Sequence, residues 1–410
     1  MPNPFFVLPW ARDRYRVGPC DAYLDSFADS LRQKGYRYST GQYYVHEVGH
    51  LSRWLDPRGV GITKINEEDV QRYLRTRRQS VRPRLSRAIH LFLQHLKQLG
   101  VIASPERCVP KDACDALIDR FERHLKVDRG LCRETIRHHI RFANRFLRHR
   151  YGDKTIDLSK LSAQDLPRYV LRESRKVSRG TAKVHVCALR VFLRFLRSRG
   201  DISIDLAASV PSVPTWRLSS LPESFSAKQV DDIVNGCDRR SPQGLRDRAI
   251  LLFLSRLGLR AIEVQRMTLE DIDWEAGCIS VRGKDGEPYR LPLPHDVGQA
   301  LVRYLRNCRP SCSSRRVFVR AVAPHSGFAN SSTVSTVARK AILRAGLRSP
   351  RLGSHVLRHA CATEMLRNGA SIQEIGQILR HRKAETTAIY AKVDFNQLKL
   401  MTQPWPGGKS

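Results

Sequence analysis

Acidic residues are scarce in this chain of 410 residues: Asp and Glu number 39 against 72 Lys and Arg, leaving a formal net charge of +33. A balance so one-sided implies a polyanionic partner, either nucleic acid or an anionic membrane. Long apolar runs are missing too. No stretch approaches the roughly 18 residues of a membrane-spanning helix, and neither end carries a lipidation motif. The opening residues, MPNPFFVLPWARDRYR, have no basic leader and too short an apolar stretch for a signal peptide. Nucleic acid, with no membrane partner, is therefore expected. Paired cysteine spacings are absent as well. The ten cysteines are scattered, Cys308 and Cys312 are the closest pair, and no second pair or flanking histidines complete a zinc set. Reduced thiols in a cytosolic protein are expected, with no metal.

What is present begins with ordinary globular composition, 41% hydrophobic and 27% charged, and enough length for two or three domains. The first half contains a diverged repeat. Thr63-Lys-Ile-Asn-Glu-Glu-Asp-Val-Gln-Arg-Tyr73 parallels Ser159-Lys-Leu-Ser-Ala-Gln-Asp-Leu-Pro-Arg-Tyr169, and Ala88–Gly100 parallels Ala188–Gly200. Each copy reads as helix, helix, capped short helix, helix, closed by a C-terminal glycine. Two small helical domains in tandem are expected, over 1–105 and 110–202. A Pro- and Ser-containing segment over 203–224 reads as an extended linker. A third domain over 225–394 is expected to be mostly α with a small antiparallel sheet, its strands around Cys278–Arg282 and Tyr289–Leu293. A tail over 395–410 follows.

The second helical copy is the better candidate for gripping DNA. In its last helix Ala188, Leu189, Phe192, Phe195 and Leu196 share one face, while Lys183, Arg190, Arg194 and Arg197 share the other. An earlier helix carries Arg133, Arg137, Arg141, Arg145 and Arg148 as a second stripe. A merely solvated basic face is the alternative. Almost no acids interrupt either stripe, so Arg137, Arg141, Arg145, Lys183, Arg190, Arg194 and Arg197 are the candidate phosphate contacts. The first copy is basic too, through Arg72, Arg75, Arg77, Arg78, Arg82, Arg84 and Arg87, and is expected to be an accessory DNA-binding module or part of a larger clamp.

The third domain holds a chemical constellation: Leu257-Gly-Leu-Arg260-Ala-Ile-Glu263, Gly283-Lys284, His355-Val-Leu-Arg358-His359, Leu379-Arg380-His381, and Tyr390 nine residues beyond His381. Breaking a phosphodiester without a metal requires cations aimed at its non-bridging oxygens, where negative charge grows. Arg260 and Arg358 suit this, being permanently charged, planar and bidentate. Glu263, three residues after Arg260, is placed to hold that guanidinium. His355, three residues before Arg358, suits acid–base work near neutral pH, and His381 suits hydrogen bonding to the phosphate. A Tyr hydroxyl with its usual pKa near 10 needs a base or a cationic field to act as a nucleophile, and this cluster contains both.

In the order and spacing of these residues, essentially all of Phe225–Lys399 resembles the tyrosine recombinase (phage integrase) family, whose pattern is an Arg, a hairpin Lys, His-x-x-Arg, a later His, and a Tyr nine residues beyond it. The resemblance implies site-specific recombination by a Tyr390 nucleophile through a 3′-phosphotyrosyl link and a Holliday junction, with no cofactor. Arg260, Lys284, His355, Arg358, His381 and Tyr390 are then catalytic, with Glu263 and His359 in support. Lys284 competes with Arg282 for the proton-donor role, and lysine alone of the two readily releases a proton. Tyr289 and Tyr304 do not follow a histidine at the right interval. Arg380 departs from the family pattern, which has glycine before the second histidine, a residue that often supplies a positive φ.

The resemblance further implies a protein that is monomeric when free and tetrameric on paired double-stranded DNA sites. Phe395, Leu398 and Met401, at three-residue spacing, would give a short tail helix one apolar face, which either folds back on its own domain or, as the resemblance favours, docks on a neighbour. A type IB topoisomerase-like relaxation activity, and a DNA-binding protein without catalysis, remain as alternatives.

Overall fold

The computed structural model describes residues 5, 17–102, 112–152, 155–214, 224–283, 287–349, 352–381, 384–387 and 389–390. Lys284 and the tail from 391 onward, including Phe395, Leu398 and Met401, lie outside the described residues. The described residues within 1–103 and 220–410 form one compact unit, and those within 104–219 form another.

Four helices build the start of the first unit: α1 (Asp21–Gln33), α2 (Tyr38–Leu55), α3 (Glu67–Arg75) and α4 (Arg82–Gln98). Four more build the second: α5 (Ala113–Val127), α6 (Arg133–Tyr151), α7 (Asp165–Ser174) and α8 (Arg179–Ser198). The repeat in sequence is a repeat of physical roles. Asn66 and Asp69 cap α3 reciprocally, the Asn66 side chain accepting from the Asp69 backbone N–H at 2.9 Å. At the equivalent place the Asp165 carboxylate accepts from the Ser162 N–H at 3.0 Å. Tyr73 and Tyr169 are both buried, as are Phe92 and Phe192. Gly100 and Gly200 leave their helices at φ of +74° and +75°, the left-handed turn in which Val101 and Asp201 return N–H bonds to Leu96 and Leu196.

In the first bundle the core is Phe27, Leu31, Val48, Leu51, Ile89 and Phe92. Ala323, from the far end of the chain, is buried in that same core, and the His325 N–H donates to the Lys34 carbonyl at 3.1 Å. The second unit packs Phe121, Phe146, Leu147, Phe192 and Phe195. Here the expected linker needs correction. Ile202, Leu206, Ala207 and Val210 are buried against this core, because four apolar side chains within nine residues outweigh the neighbouring serines and proline. The later residues of the expected linker, 215–223, lie outside the described residues.

The rest of the first unit contains α9 (Ala227–Asn235), α10 (Pro242–Ser255), α11 (Ala261–Arg266), β1 (Ile272–Asp273), β2 (Cys278–Arg282), β3 (Pro288–Pro292), α12 (His295–Asn307), α13 (Ser332–Arg344), α14 (Ser354–Arg367), α15 (Ile372–Ile378) and α16 (Ala384–Thr387). A Ser226/Gln229 capping box starts α9. The C-terminal half of helix α10 is apolar on every side, with Ala249–Leu254 all buried, and lies in the domain's core. The sheet has the order β1-β2-β3, antiparallel throughout, with Ile279 opposite Leu291 and Val281 opposite Tyr289. This is the mainly α domain with a small antiparallel sheet that was expected. No helix among the described residues is long and apolar enough to cross a membrane.

Candidate active site

Three chain segments meet around Arg260 and Arg358. Arg260 stands immediately before α11, and Glu263 lies inside its first turn. The Glu263 carboxylate accepts from the Arg260 backbone N–H at 2.8 Å and from its Nη1 at 2.7 Å. One side chain therefore both caps the helix and grips the guanidinium. The Glu263 side chain is 2% exposed while that of Arg260 is 32% exposed, so the arginine is anchored from behind with part of its surface open. Its Nη2 donates to the Arg380 carbonyl at 2.9 Å.

Arg358 lies in the first half of α14 and is buried. It donates Nη1 to the Gly258 carbonyl and Nη2 to the Leu379 carbonyl. Burial, then the nearby Arg260, lowers its pKa to about 10; it stays charged at neutral pH. Both arginines are thus tied to successive carbonyls of the Leu379–Arg380 turn. That turn is left-handed: Arg380 takes φ +54°, the conformation glycine would supply without strain. The Arg380 side chain turns inward, 1% exposed, and donates Nη2 to Glu263 at 2.8 Å.

His381 follows directly. Its Nδ1 lies 2.8 Å from the Thr387 hydroxyl on α16. Burial first, then Arg358 and Arg260, pushes the imidazole pKa down to about 4, so the ring is neutral near pH 7. His355, in the first turn of α14, is exposed, and its ring stands 6.3 Å from that of His359 at 88°. Tyr390 is 1% exposed among Ala362, Leu366, Ile375 and Leu379. Its hydroxyl lies 2.8 Å from His359 Nδ1. Burial pushes its pKa up to about 12, with Arg358 pulling the other way.

The structure brings Arg260, Arg358, His381 and Tyr390 together with Glu263 and His359. Sequence reasoning gave His359 only a supporting place; its direct contact with Tyr390 is a tertiary contact that its position after Arg358 does not announce. Thr387 and the Arg380 side chain were not anticipated, and no spacing signals them. Among the alternatives, Tyr304 is a core residue stacked on Phe318, its hydroxyl accepting from the Val319 N–H at 3.2 Å. Arg282 is exposed at the end of β2, and Arg290 pairs with Asp273 at 3.0 Å. No cluster of three or more His, Cys, Asp or Glu able to hold a metal occurs among the described residues.

The candidate DNA-binding residues divide. Arg137, Arg141 and Arg194 are exposed, and so is Lys183. Arg145 pairs with the buried Glu173 at 2.8 Å, and Arg197 with Asp205 at 2.8 Å. Arg190 donates to the Val210 carbonyl at 2.7 Å and to the Ser212 hydroxyl at 2.9 Å. The scarcity of acids along each stripe is thus a property of the helix alone; on the folded surface, Glu173 from α7 and Asp205 from the following turn meet it.

A mostly helical domain with a three-stranded sheet, presenting two anchored arginines, a neutral histidine and a buried tyrosine at one point, defines the tyrosine recombinase class. Residues 223–397 match the phage integrase family, and residues 24–99 and 118–200 match the N-terminal SAM-like domain of phage integrases. The Sinorhizobium fredii protein named as integrase/recombinase y4rA is 42% identical, covering 98% of each chain. Tyrosine recombinase XerD of Mycobacterium tuberculosis is 29% identical over 69% of this chain and 94% of its own. The chain belongs to the phage integrase family of tyrosine recombinases, site-specific enzymes that cleave and rejoin DNA strands. The fold is similar to that of the XerH site-specific recombinase bound to its difH substrate, at TM-score 0.53 and 18% identity over 72% of this chain and 89% of that one. A post-cleavage XerH complex aligns over 98% of both chains at TM-score 0.52 and 15% identity.

Proposed function

We propose that the protein cleaves one DNA strand by attack of the Tyr390 hydroxyl oxygen on the scissile phosphorus. A 3′-phosphotyrosyl bond forms as the bond to the 5′ oxygen breaks, and that oxygen leaves as a hydroxyl. The observation that carries this reading is the anchoring of Arg260 and Arg358 on adjacent carbonyls of one turn beside Tyr390. Two guanidinia held this way form a preorganised receptor for the phosphate's non-bridging oxygens and stabilise the charge that develops there. Neutral His381 adds a hydrogen bond: if its Nδ1 accepts from Thr387, its Nε2–H is free to donate. His355 accepts the proton that the Tyr390 hydroxyl gives up, Lys284 protonates the leaving 5′ oxygen, and no cofactor takes part. Tyr390 is 1% exposed, so cleavage includes a rearrangement that opens its hydroxyl to the duplex.

Rejoining by the reverse reaction with a partner strand gives recombination through a Holliday junction within a tetramer on paired sites, the free protein being a monomer in the cytoplasm. The second helical unit grips the core site and the first helical bundle extends the clamp. Deleting residues 395–410 is expected to spare single-site binding and impair synapsis. The central test is a nicked suicide substrate, which traps the covalent adduct: Tyr390→Phe should bind it normally and form none. An adduct surviving denaturation in that variant would refute the nucleophile, and relaxed circles without exchanged strands would identify a topoisomerase instead.

A further inference from the structure

Arg380 is the one described non-glycine residue with a left-handed backbone, and its charged side chain lies in the interior. Its Nη1 donates to the Ile378 carbonyl at 2.9 Å, its Nη2 to Glu263 at 2.8 Å, and its Nε finds no partner. A residue under backbone constraint, with a buried cation and an unsatisfied donor, is an expensive way to build a turn that glycine would build freely. The contacts show what that turn accomplishes. The Arg380 carbonyl receives Arg260 Nη2, and its guanidinium takes the Oε2 oxygen of Glu263. The other carboxylate oxygen, Oε1, receives Arg260 Nη1. The ring of contacts is closed: Arg260 to Glu263, Glu263 to the Arg380 side chain, and the Arg380 backbone back to Arg260.

We propose that Arg380 is a positioning residue that sets both the place and the effective charge of Arg260. Glu263, shared between two guanidinia, cannot act as a dedicated counter-ion of Arg260. Three arginines against one carboxylate leave the pocket cationic and ready for a phosphate. Without the Arg380 side chain, the buried carboxylate turns its whole charge on Arg260, drawing it inward and neutralising it where the phosphate needs it. The 1% exposure of Arg380 excludes direct contact with DNA in this arrangement, so its influence passes through Glu263 and the turn. This inference rests on the role proposed above for Arg260 and adds a residue to it.

The test compares single-turnover cleavage of the suicide substrate, DNA affinity and thermal melting in the full-length protein for Arg380→Gly, Arg380→Lys, Glu263→Gln and the Arg380→Gly/Glu263→Gln double variant, with Arg260→Ala as reference. Arg380→Gly relaxes the backbone and should keep affinity within about twofold while slowing cleavage by about tenfold or more, the pattern of an interaction that matters in the transition state. Arg380→Lys restores a cation beside Glu263 and should recover part of the rate. Adding Glu263→Gln to Arg380→Gly removes the unshared carboxylate and should also recover part of it, a non-additivity that only coupled groups display. Arg380→Gly cleaving at the wild-type rate while Arg260→Ala is inactive would overturn the proposal and leave the role of Arg260 intact. Simple multiplication of the two single-variant losses would overturn it too, as would rate losses that track lost melting and binding in Arg380→Gly and Arg380→Lys alike. Wild-type cleavage by Arg260→Ala itself would remove the reading beneath it.

Discussion

The Nδ1 of His359 lies 2.8 Å from the hydroxyl of Tyr390, the two rings tilted at 60° with centroids 5.6 Å apart. His359 follows Arg358 on α14, so the helix that holds one arginine of the proposed phosphate receptor also holds the proposed nucleophile. Apolar packing alone would leave a buried phenol hydroxyl unsatisfied; His359 is what makes the pocket acceptable to it.

His359→Ala is therefore expected to leave DNA binding unchanged and slow covalent adduct formation about tenfold, the loss that a hydrogen bond of roughly 1.4 kcal/mol corresponds to. His359→Gln, which keeps a hydrogen-bonding group, should fall between. Adduct formation on the suicide substrate measures it. Equal rates in all three proteins would show the contact to be incidental.

Removing either arginine should cost about 3 kcal/mol of transition-state stabilisation, comparable to losing an oxyanion donor. The two variants should differ in stability. Arg358→Ala strips the Gly258 and Leu379 carbonyls of their donor in a buried place, whereas Arg260→Ala removes a side chain that is partly exposed. Arg358→Ala should accordingly melt lower. Cleavage within about twofold of wild type in either variant would move that arginine away from the phosphate, and strong inhibition of the wild type by EDTA would bring a metal into the reaction.

The two perturbed side chains predict opposite pH effects. His381, held down to about 4, is a base whose proton is bound more weakly in the folded protein than in the unfolded chain. Its contribution to stability is present above the ordinary histidine range and is lost as pH falls toward 4. Tyr390, held up to about 12, keeps its proton better when folded, so its contribution is present below the ordinary tyrosine pKa and fades as pH rises toward 12. Melting curves of wild type and His381→Gln should converge on acidification. In a spectrophotometric titration, the difference between wild type and Tyr390→Phe should show no phenolate at pH values where exposed tyrosines already titrate. A Tyr390 that ionised with the exposed ones would contradict its burial.

The arginine stripes should separate by variant. Arg137→Ala and Arg141→Ala, at exposed positions, are expected to weaken DNA binding uniformly, and each should flatten the log affinity–log salt slope by about 0.9. Arg145→Ala should instead lower the melting temperature, because Glu173 is 6% exposed and loses one of its two cations, Lys176 remaining at 2.8 Å. Removing residues 1–105 should reduce affinity yet retain core-site recognition. Loss of that recognition in a folded truncation would assign it to the first bundle. An unchanged salt slope in the two exposed variants would show those positions to be merely solvated.

Helical periodicity in α8, the cap at Asn66, the Ser162–Asp165 contact and the closing glycines at 100 and 200 are encoded within a few residues of where they act, and local sequence determined them. The types and order of Arg260, Lys284, His355, Arg358, His381 and Tyr390 were legible in the sequence too, as the pattern in which the chain resembles its family. The glycine-like turn at position 380 was legible as a place where backbone geometry was in question. Only the tertiary structure decided how it is used. Arg260 reaches Arg380 across 120 positions and Arg358 reaches Gly258 across 100; no local pattern carries such pairs, which exist because α11, α14 and the turn after α15 pack around one core. Packing likewise brought Glu173 to Arg145, Ser212 to Arg190 and Tyr390 to His359, and drew Leu206, Ala207 and Val210 out of the linker into a hydrophobic core. Sequence specifies which groups are available; the burial of apolar surface, acting over the whole chain, decides which of them meet.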